Sequence, residues 1–128
     1  MLVESPSLLI TDDDADFRET LQGVFEPEGF NTILAGDGEE ALNIVHSREV
    51  HLVLLDMHMP RLTGLETLRL LRQFRSMLPC ILLSAELDEL IIEQARQAQV
   101  FSVLAKPVTL RQITGAVHQA MRRTYNWP

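Results

Sequence analysis

The hydrophobic and polar residues of the chain fall into two alternating kinds of segment. Five short runs are almost wholly apolar, and the longer segments between them repeat apolar residues every three or four positions. Short apolar runs are typical of strands buried on both faces of a parallel sheet, whereas the longer spacing is typical of helices with one inward face. Strands are therefore predicted at 7–11, 30–34, 52–55, 80–83 and 100–104, and helices at 16–25, 39–47, 65–75, 87–98 and 110–121.

Strand and helix alternate five times, with short connections and no internal repeat. This order predicts an α/β fold in which helices cover both faces of a parallel sheet and the crossovers are right-handed. At 128 residues the chain is long enough to bury one sizeable core. We expect a single domain over residues 1–128, with its core at about 7–122. Residues 1–6 are predicted to be an unstructured lead-in, and residues 123–128 a helix end, a tail or a truncated linker.

The last two predicted helices carry apolar stripes that we expect to face the core. The inward residues expected in the fourth helix are Leu87, Leu90, Ile91, Ala95 and Ala98, and those in the fifth are Leu110, Ile113, Val117 and Met121. Ile92 lies off the stripe of the fourth helix and is a candidate for a partner or homodimer surface.

Composition and charge narrow the function. The chain is 46% hydrophobic and 23% charged, which is typical of a globular domain, and its net charge of −7 argues against direct binding of nucleic acid or an anionic membrane. No apolar run approaches the length of a membrane span, and no secretory signal is evident. Cys80 is the only cysteine and lies in an apolar run, which indicates a core residue in a reducing cytoplasm rather than a disulfide framework.

Polar side chains follow four of the predicted strands, at the point where each strand ends. They are Asp12 and Asp13, Asp56, Ser84 and Lys106. The carboxyl ends of parallel strands meet at one edge of a sheet, so these residues are expected to converge there. Three carboxylates without histidine or cysteine suit a hard divalent cation, and they favour Mg²⁺. With a lysine and a hydroxyl beside them, the set favours phosphoryl transfer in which Asp56 acts as the nucleophile.

Each of these residues also has a simpler interpretation. Aspartates before a helix cap its free N–H groups, and for Asp14 we favour that role. Asp56 at a strand end is compatible with a turn residue, Ser84 with a helix cap, Lys106 with a surface lysine and His58 with an exposed loop residue. The functional interpretation is favoured because complementary chemistry occurs at four strand ends at once.

These residues occur in motifs that cover almost the whole chain. The motifs are Leu8-Leu9-Ile10-Thr11-Asp12-Asp13-Asp14 with Arg18 following, Asp56-Met57-His58-Met59-Pro60 with Gly64, Leu82-Leu83-Ser84-Ala85, and Leu104-Ala105-Lys106-Pro107. With them the sequence resembles a response-regulator receiver domain of two-component signalling, of the kind found in chemotaxis regulators. The resemblance implies a flavodoxin-like, doubly wound α/β fold of five helices and five parallel strands in the order 2-1-3-4-5.

The resemblance also implies roles for the site residues. Asp56 would accept a phosphoryl group from the phosphohistidine of a sensor histidine kinase or histidine phosphotransfer protein. The implied Mg²⁺ ligands are Asp12, Asp13, Asp56 and the backbone carbonyl of His58, and the implied phosphoryl contacts are Ser84 and Lys106. In such domains phosphorylation draws the hydroxyl residue inward. The surface of the fourth helix, fifth strand and fifth helix then changes its contacts with an output domain or target protein.

The sequence departs from the family pattern at two positions. Val103 stands three residues before the lysine, where the family usually has Tyr or Phe. Phe101 is expected on the same face of the fifth strand by alternation, one pleat repeat away. Ala98 stands where a glycine often ends the fourth helix.

Two other functions are compatible with the same residues. One is a Mg²⁺-dependent phosphatase or phosphotransferase with an aspartyl intermediate, and the other is an interaction module that is not phosphorylated. A nucleotide-binding domain is disfavoured because no glycine-rich loop follows the first strand. We favour a receiver that catalyses only its own phosphorylation and slow dephosphorylation, and so is not an enzyme in the usual sense.

Overall fold

The computed structural model describes residues 4–128, so the first three residues of the expected lead-in lie outside the described residues. Strands and helices alternate along the chain. The strands are β1 Ser7–Thr11, β2 Asn31–Ala35, β3 Leu52–Asp56, β4 Cys80–Ser84 and β5 Ser102–Ala105, and the helices are α1 Ala15–Phe25, α2 Gly38–Ser47, α3 Gly64–Arg72, α4 Glu89–Gln97 and α5 Leu110–Tyr125. The expected α/β fold class is confirmed.

All five strands are parallel and lie in the order β2-β1-β3-β4-β5. The apolar runs of β1, β3 and β4 are buried along their whole length because helices cover both faces of the sheet. One face carries a core cluster with residues from α2, α3 and α4, and the other carries a cluster with residues from α1 and α5. The expected doubly wound arrangement is confirmed.

The inner stripes expected for the last two helices were wrong at three leucines. Leu87 precedes α4, Leu90 is 65% exposed, and Leu110 at the start of α5 is 44% exposed. The Asp88 side chain accepts a hydrogen bond from the Ile91 amide at 2.8 Å, so the helix begins only after Asp88. Ala95 is the only buried residue of α4.

The chain end is docked rather than free. Helix α5 continues to Tyr125, beyond the expected core boundary at about residue 122. The Tyr125 hydroxyl donates to the main-chain carbonyl of His51 at 2.7 Å, and the Trp127 ring lies 4.9 Å from that of Phe30. Residues of the expected tail therefore pack on the domain. Among residues 4–128, no helix is both long and apolar enough to cross a bilayer.

Candidate functional site

Asp12, Asp56 and Lys106 are brought together by the ends of three strands. Asp56 is the last residue of β3, and Asp12 and Lys106 directly follow β1 and β5. The Asp12 amide donates to the main-chain carbonyl of Ala35, at the end of β2, at 3.1 Å. The Lys106 amide donates to the main-chain carbonyl of Ser84, at the end of β4, at 2.8 Å. Sheet pairing thus continues one residue past β1 and past β5. This pairing fixes the backbone positions of Asp12 and Lys106.

Three carboxylates share one small volume at this edge. One oxygen from each of Asp12, Asp13 and Asp56 lies within 4.8 Å of the others. Asp12 and Asp56 are each 3% exposed, whereas Asp13 faces solvent. The structure therefore joins residues that are far apart in the sequence, as the strand-end pattern predicts.

Lys106 supplies the positive charge of the cluster. Its Nζ donates to Asp56 Oδ1 at 2.7 Å and lies 3.8 Å from Asp12 Oδ2, beyond hydrogen-bond distance. Lys106 is also the only lysine in the sequence. A single ammonium group therefore faces three carboxylates, which leaves the site negative.

Burial and charge shift the proton affinities of these groups. Burial raises the pKa of Asp12 from 3.8 to about 6, although the Asp14 amide and the Lys106 charge oppose the shift and the Asp56 charge adds to it. Burial by itself lowers the pKa of Lys106. The hydrogen bond to Asp56 and the charges of Asp56, Asp12 and Asp13 together reverse that effect and leave the Lys106 pKa raised.

The cluster fits a hard divalent cation. Asp12 Oδ2 is buried and has no hydrogen-bond partner among the described residues, a state that is costly unless a cation contacts the oxygen. All three available ligand groups are carboxylates, the donors that Mg²⁺ prefers. The geometry and the unpartnered oxygen therefore both favour a cation at this position.

The loop after β1 is held by contacts of its own. Asp12 Oδ1 accepts from the Asp14 amide at 2.9 Å, and the Asp14 side chain caps α1 by accepting from the amides of Asp16 and Phe17. The capping role expected for Asp14 is confirmed. Arg18 Nη1 donates to the main-chain oxygen of Asp12 at 2.6 Å, so α1 fixes both ends of the acidic loop.

Gly64 allows the loop after β3 to turn back tightly. The Gly64 amide donates to the Met57 carbonyl at 3.0 Å. A Cβ atom at residue 64 would overlap the main-chain oxygen of Asp56 and the side chain of Leu82. The absence of a side chain at Gly64 thus lets the loop pass directly against the strand that carries Asp56.

The cluster opens into a cleft of about 490 Å³. Its lining residues are Asp12, Asp13, Asp14, Phe17, Asp56, His58, Lys106, Pro107 and Val108. Phe17 was not among the predicted site residues, yet it lines the cleft, and Lys106 Nζ lies 5.7 Å from the centre of its ring. Phe17 sits in the first turn of a helix that starts beside the acidic loop, and that position was the available signal. The exposed side chain of His58 lies at the cleft as a loop residue.

The family model for the response regulator receiver domain matches residues 8–118. The chain belongs to this family. Receiver domains are signalling modules of two-component response regulators and bind Mg²⁺ through acidic residues, and the cluster of Asp12, Asp13 and Asp56 has that composition.

Relatives of the receiver domain agree with the family match. The chain is 35% identical over 118 residues to the transcriptional regulatory protein CpxR of Escherichia coli (strain K12), covering 92% of this chain and 50% of that protein. It therefore spans about half the length of the curated relatives that it matches.

Solved structures of other receiver proteins match its fold. A CheY-like receiver domain protein from Methanospirillum hungatei has a TM-score of 0.90 at 20% identity, covering 95% of this chain and 98% of that one. Response regulator TrrA from Thermotoga maritima was solved in complex with Mg²⁺ and BeF. It has a TM-score of 0.80 at 28% identity, and the match covers 90% of this chain and 98% of that one.

Ser84 reaches the same edge of the receiver domain, but its hydroxyl is directed elsewhere. The residue is fully buried and is not among the residues that line the cleft. Its Oγ donates to the Glu86 carbonyl at 2.7 Å and accepts from the Glu86 amide at 3.2 Å. In this structure Ser84 therefore closes its own loop, and the structure does not bring it into the cleft with Asp56 and Lys106.

The expectation that Phe101 and Val103 share a face was wrong. Phe101 precedes β5, so strand alternation does not apply to it. It packs against the α1 and α5 side of the sheet, whereas Val103 packs against the α2, α3 and α4 side. Phe101 therefore does not replace the aromatic residue that the family usually has at position 103.

Proposed function

We propose that this receiver domain accepts a phosphoryl group on Asp56 from the phosphohistidine of a sensor histidine kinase or a histidine phosphotransfer protein. The observation that carries the proposal is the contact between Asp56 Oδ1 and Lys106 Nζ at 2.7 Å, inside a cluster of three carboxylates. A buried nucleophile with one adjacent cation is suited to a reaction in which charge develops on a transferred group.

The transfer is a displacement at phosphorus. An Asp56 carboxylate oxygen forms the new P–O bond, the P–N bond to the donor imidazole breaks, and the imidazole leaves with the bonding electron pair and binds a proton. Lys106 turns from the free carboxylate to the phosphoryl oxygens, because its pairing to Asp56 already places Nζ beside the reacting oxygen. The domain supplies position and charge rather than a separate catalytic base.

Mg²⁺ is the proposed cofactor, held by Asp12, Asp13, Asp56 and the backbone carbonyl of His58. When bound, it would neutralise charge on the phosphoryl group. The buried, unpartnered Asp12 Oδ2 supports this assignment. A second support is the TrrA structure, whose fold matches this chain and which was solved with Mg²⁺ and BeF.

We propose that the domain works in the cytoplasm as a single unit over residues 1–128, without contacting nucleic acid or a membrane itself. Its output would pass through the surface of α4, β5 and α5 to an output domain, a target protein or a second copy of the chain. Leu90 and Leu110, which are exposed on α4 and α5, support that choice of surface. Ser84 is the proposed hydroxyl contact to the phosphoryl group and would first have to release Glu86.

The direct test is phosphorylation of the chain by a small phosphoramidate donor with Mg²⁺. We expect one acid-stable, base-labile phosphoryl group per chain in the parent, and none in Asp56→Asn. Asp16→Asn is the matched control, because Asp16 is exposed in the first turn of α1 and does not line the cleft. Equal labelling of parent and Asp56→Asn would exclude Asp56 as the acceptor. Many turnovers of a phosphate ester would favour a phosphatase, and failure to bind Mg²⁺ would favour an interaction module.

A further inference from the structure

Helix α4 is weakly held along its length. Only one of its nine residues, Ala95, is buried, whereas α3, also of nine residues, buries five. Leu90 is 65% exposed and Ile92 is 47% exposed. Since packing supplies most of the stability of a short helix, the position of α4 depends largely on how its two ends are fixed.

The C-terminal end of α4 has an unusual residue at its turn. The Val100 amide donates to the Ala95 carbonyl at 3.1 Å, and the Gln99 amide donates to the Arg96 carbonyl at 2.9 Å. These are the paired bonds of a Schellman motif. That motif needs a left-handed residue, and Gln99 has φ 59°. Glycine is preferred there because it has no Cβ. The turn therefore needs support from outside the helix.

Arg72, at the end of α3, provides that support. Its Nε donates to the Ala98 carbonyl at 3.1 Å and its Nη2 to the Gln99 carbonyl at 2.9 Å. Its Nη1 donates to the Arg75 carbonyl at 2.9 Å, which holds the guanidinium in place. Ala98 is the C-cap residue of α4, so a charged donor on its carbonyl is favoured by the negative end of the helix dipole, and the bond to the Gln99 carbonyl holds the turn that follows.

The N-terminal end of α4 lacks a comparable anchor among the described residues. It begins after Asp88, whose side chain caps the helix through the Ile91 amide. The preceding turn is closed by the mutual hydrogen bonds of Ser84 and Glu86. That turn begins at the strand end that adjoins the cleft, so this end of the helix is linked to the site by a short loop.

We propose that Arg72 is a positioning residue that anchors the C-terminal end of α4, so that α4 responds to chemistry at the cleft by movement of its N-terminal end alone. The anchor itself follows from the contacts of Arg72. Only the response of the opposite end rests on the proposed phosphorylation of Asp56.

The anchor is tested by residue-resolved amide exchange on the 128-residue chain. In Arg72→Met, the amides of Ala98, Gln99 and Val100 should exchange at least about tenfold faster than in the parent, while β3 and β4 amides stay unchanged. Arg69→Met is the matched control, since Arg69 is an exposed arginine of the same helix. Adding Gln99→Gly to Arg72→Met should recover most of the protection, because glycine relieves the left-handed turn.

The anchoring role would be contradicted if these three amides exchanged within about twofold of their rates in the parent. It would also be contradicted if the amides of β3 and β4 showed an equal increase in exchange rate. If Arg72→Met does not fold, Arg72→Lys is judged by the same criterion, since a lysine cannot bind the three carbonyls at once.

The one-ended response is tested by adding Mg²⁺ and beryllium fluoride to the parent. Amide shift changes in α4 should then concentrate at its first turn and be small at Ala98–Val100, and in Arg72→Met they should spread along the helix. Changes of equal size at both ends of α4 in the parent would overturn the proposal. Absence of any response at the cleft would instead contradict the proposed function and leave the exchange result for the anchor intact.

Discussion

Lys106 Nζ lies 2.7 Å from Asp56 Oδ1 and 3.8 Å from Asp12 Oδ2, so the only lysine of the chain is shared unequally between two buried carboxylates. The closer partner is the proposed nucleophile, and the more distant one retains a raised pKa. Asp56 is therefore paired with the lysine, whereas Asp12 Oδ2 is available to bind a cation.

Replacing the lysine separates charge compensation from metal binding. Lys106→Met should slow phosphorylation by phosphoramidate about 10²-fold, because a positive group beside the transferred oxygens is lost. Mg²⁺ affinity, measured by calorimetry, should stay equal or increase, because a competing cation has been removed. Lys106→Arg is the comparison that keeps the charge. A parallel loss of Mg²⁺ binding in Lys106→Met would show that the lysine acts by holding the carboxylates in place.

Asp12 should destabilise the metal-free fold at neutral pH. Its pKa is raised from 3.8 to about 6, so between these pH values the folded chain binds more protons than the unfolded chain. The free energy of unfolding then falls as pH rises through this window, and the whole penalty is present above about pH 6.

Asp12→Asn should therefore raise the free energy of unfolding at pH 8 by roughly 1–3 kcal/mol in urea titrations without metal, with little effect below the ordinary aspartate pKa. Asp16→Asn should change stability by less than about 0.5 kcal/mol. Millimolar Mg²⁺ should stabilise the parent but not Asp12→Asn. The explanation fails if the asparagine variant is less stable than the parent at pH 8.

Substitution of two glycines should have opposite effects. Gly64→Ala should lower the free energy of unfolding by about 1–3 kcal/mol, because the new Cβ overlaps the Asp56 carbonyl oxygen and Leu82. The same change at Gly115, in α5 with open space around it, should raise stability by about 0.5–1 kcal/mol. Urea unfolding measures both variants. A neutral Gly64→Ala would mean that the loop after β3 can shift without strain.

Tyr125, the only tyrosine, reports whether the chain end is docked. Burial raises its pKa above the ordinary value of 10, so the phenol absorbance should titrate at higher pH in the folded chain than in urea. Because the neutral phenol is favoured in the fold, stability should fall as pH rises through this region.

Tyr125→Phe removes the hydrogen bond to the His51 carbonyl and should lower the free energy of unfolding by about 0.5–1.5 kcal/mol at neutral pH. The chain end would not be packed in solution if the Tyr125 phenol titrated at its ordinary pKa and Tyr125→Phe left the free energy of unfolding unchanged.

Several features of the fold and the site could be predicted from the residue pattern, because they depend on neighbouring residues and on the general rules of parallel sheets. The apolar runs at β1, β3 and β4 required a sheet covered on both faces, and short connections between strands and helices required a parallel order. The convergence of Asp12, Asp13, Asp56 and Lys106 followed, because parallel strands end at one edge. The cap formed by Asp14 followed from its place before a helix.

Other features depended on packing between segments far apart in sequence. Leu90 has the spacing of a core residue, but α4 begins only after Asp88 and buries little more than Ala95. The hydroxyl of Ser84 was expected to cap a helix or to contact a phosphoryl group, and the geometry of its loop directs it to Glu86 instead. Phe101 lies just before β5, so the alternation of side chains along a strand does not apply to it.

The order of strands and helices along the chain, and the chemical groups at the strand ends, could be predicted because both follow from residue type and spacing. Three features became visible only in the folded chain: how the charges pair, which face of α4 is covered, and the contact of Arg72 in α3 with the turn at the end of α4. Those outcomes depend on distances between side chains that the sequence separates by tens of residues, such as the 2.7 Å between Asp56 and Lys106.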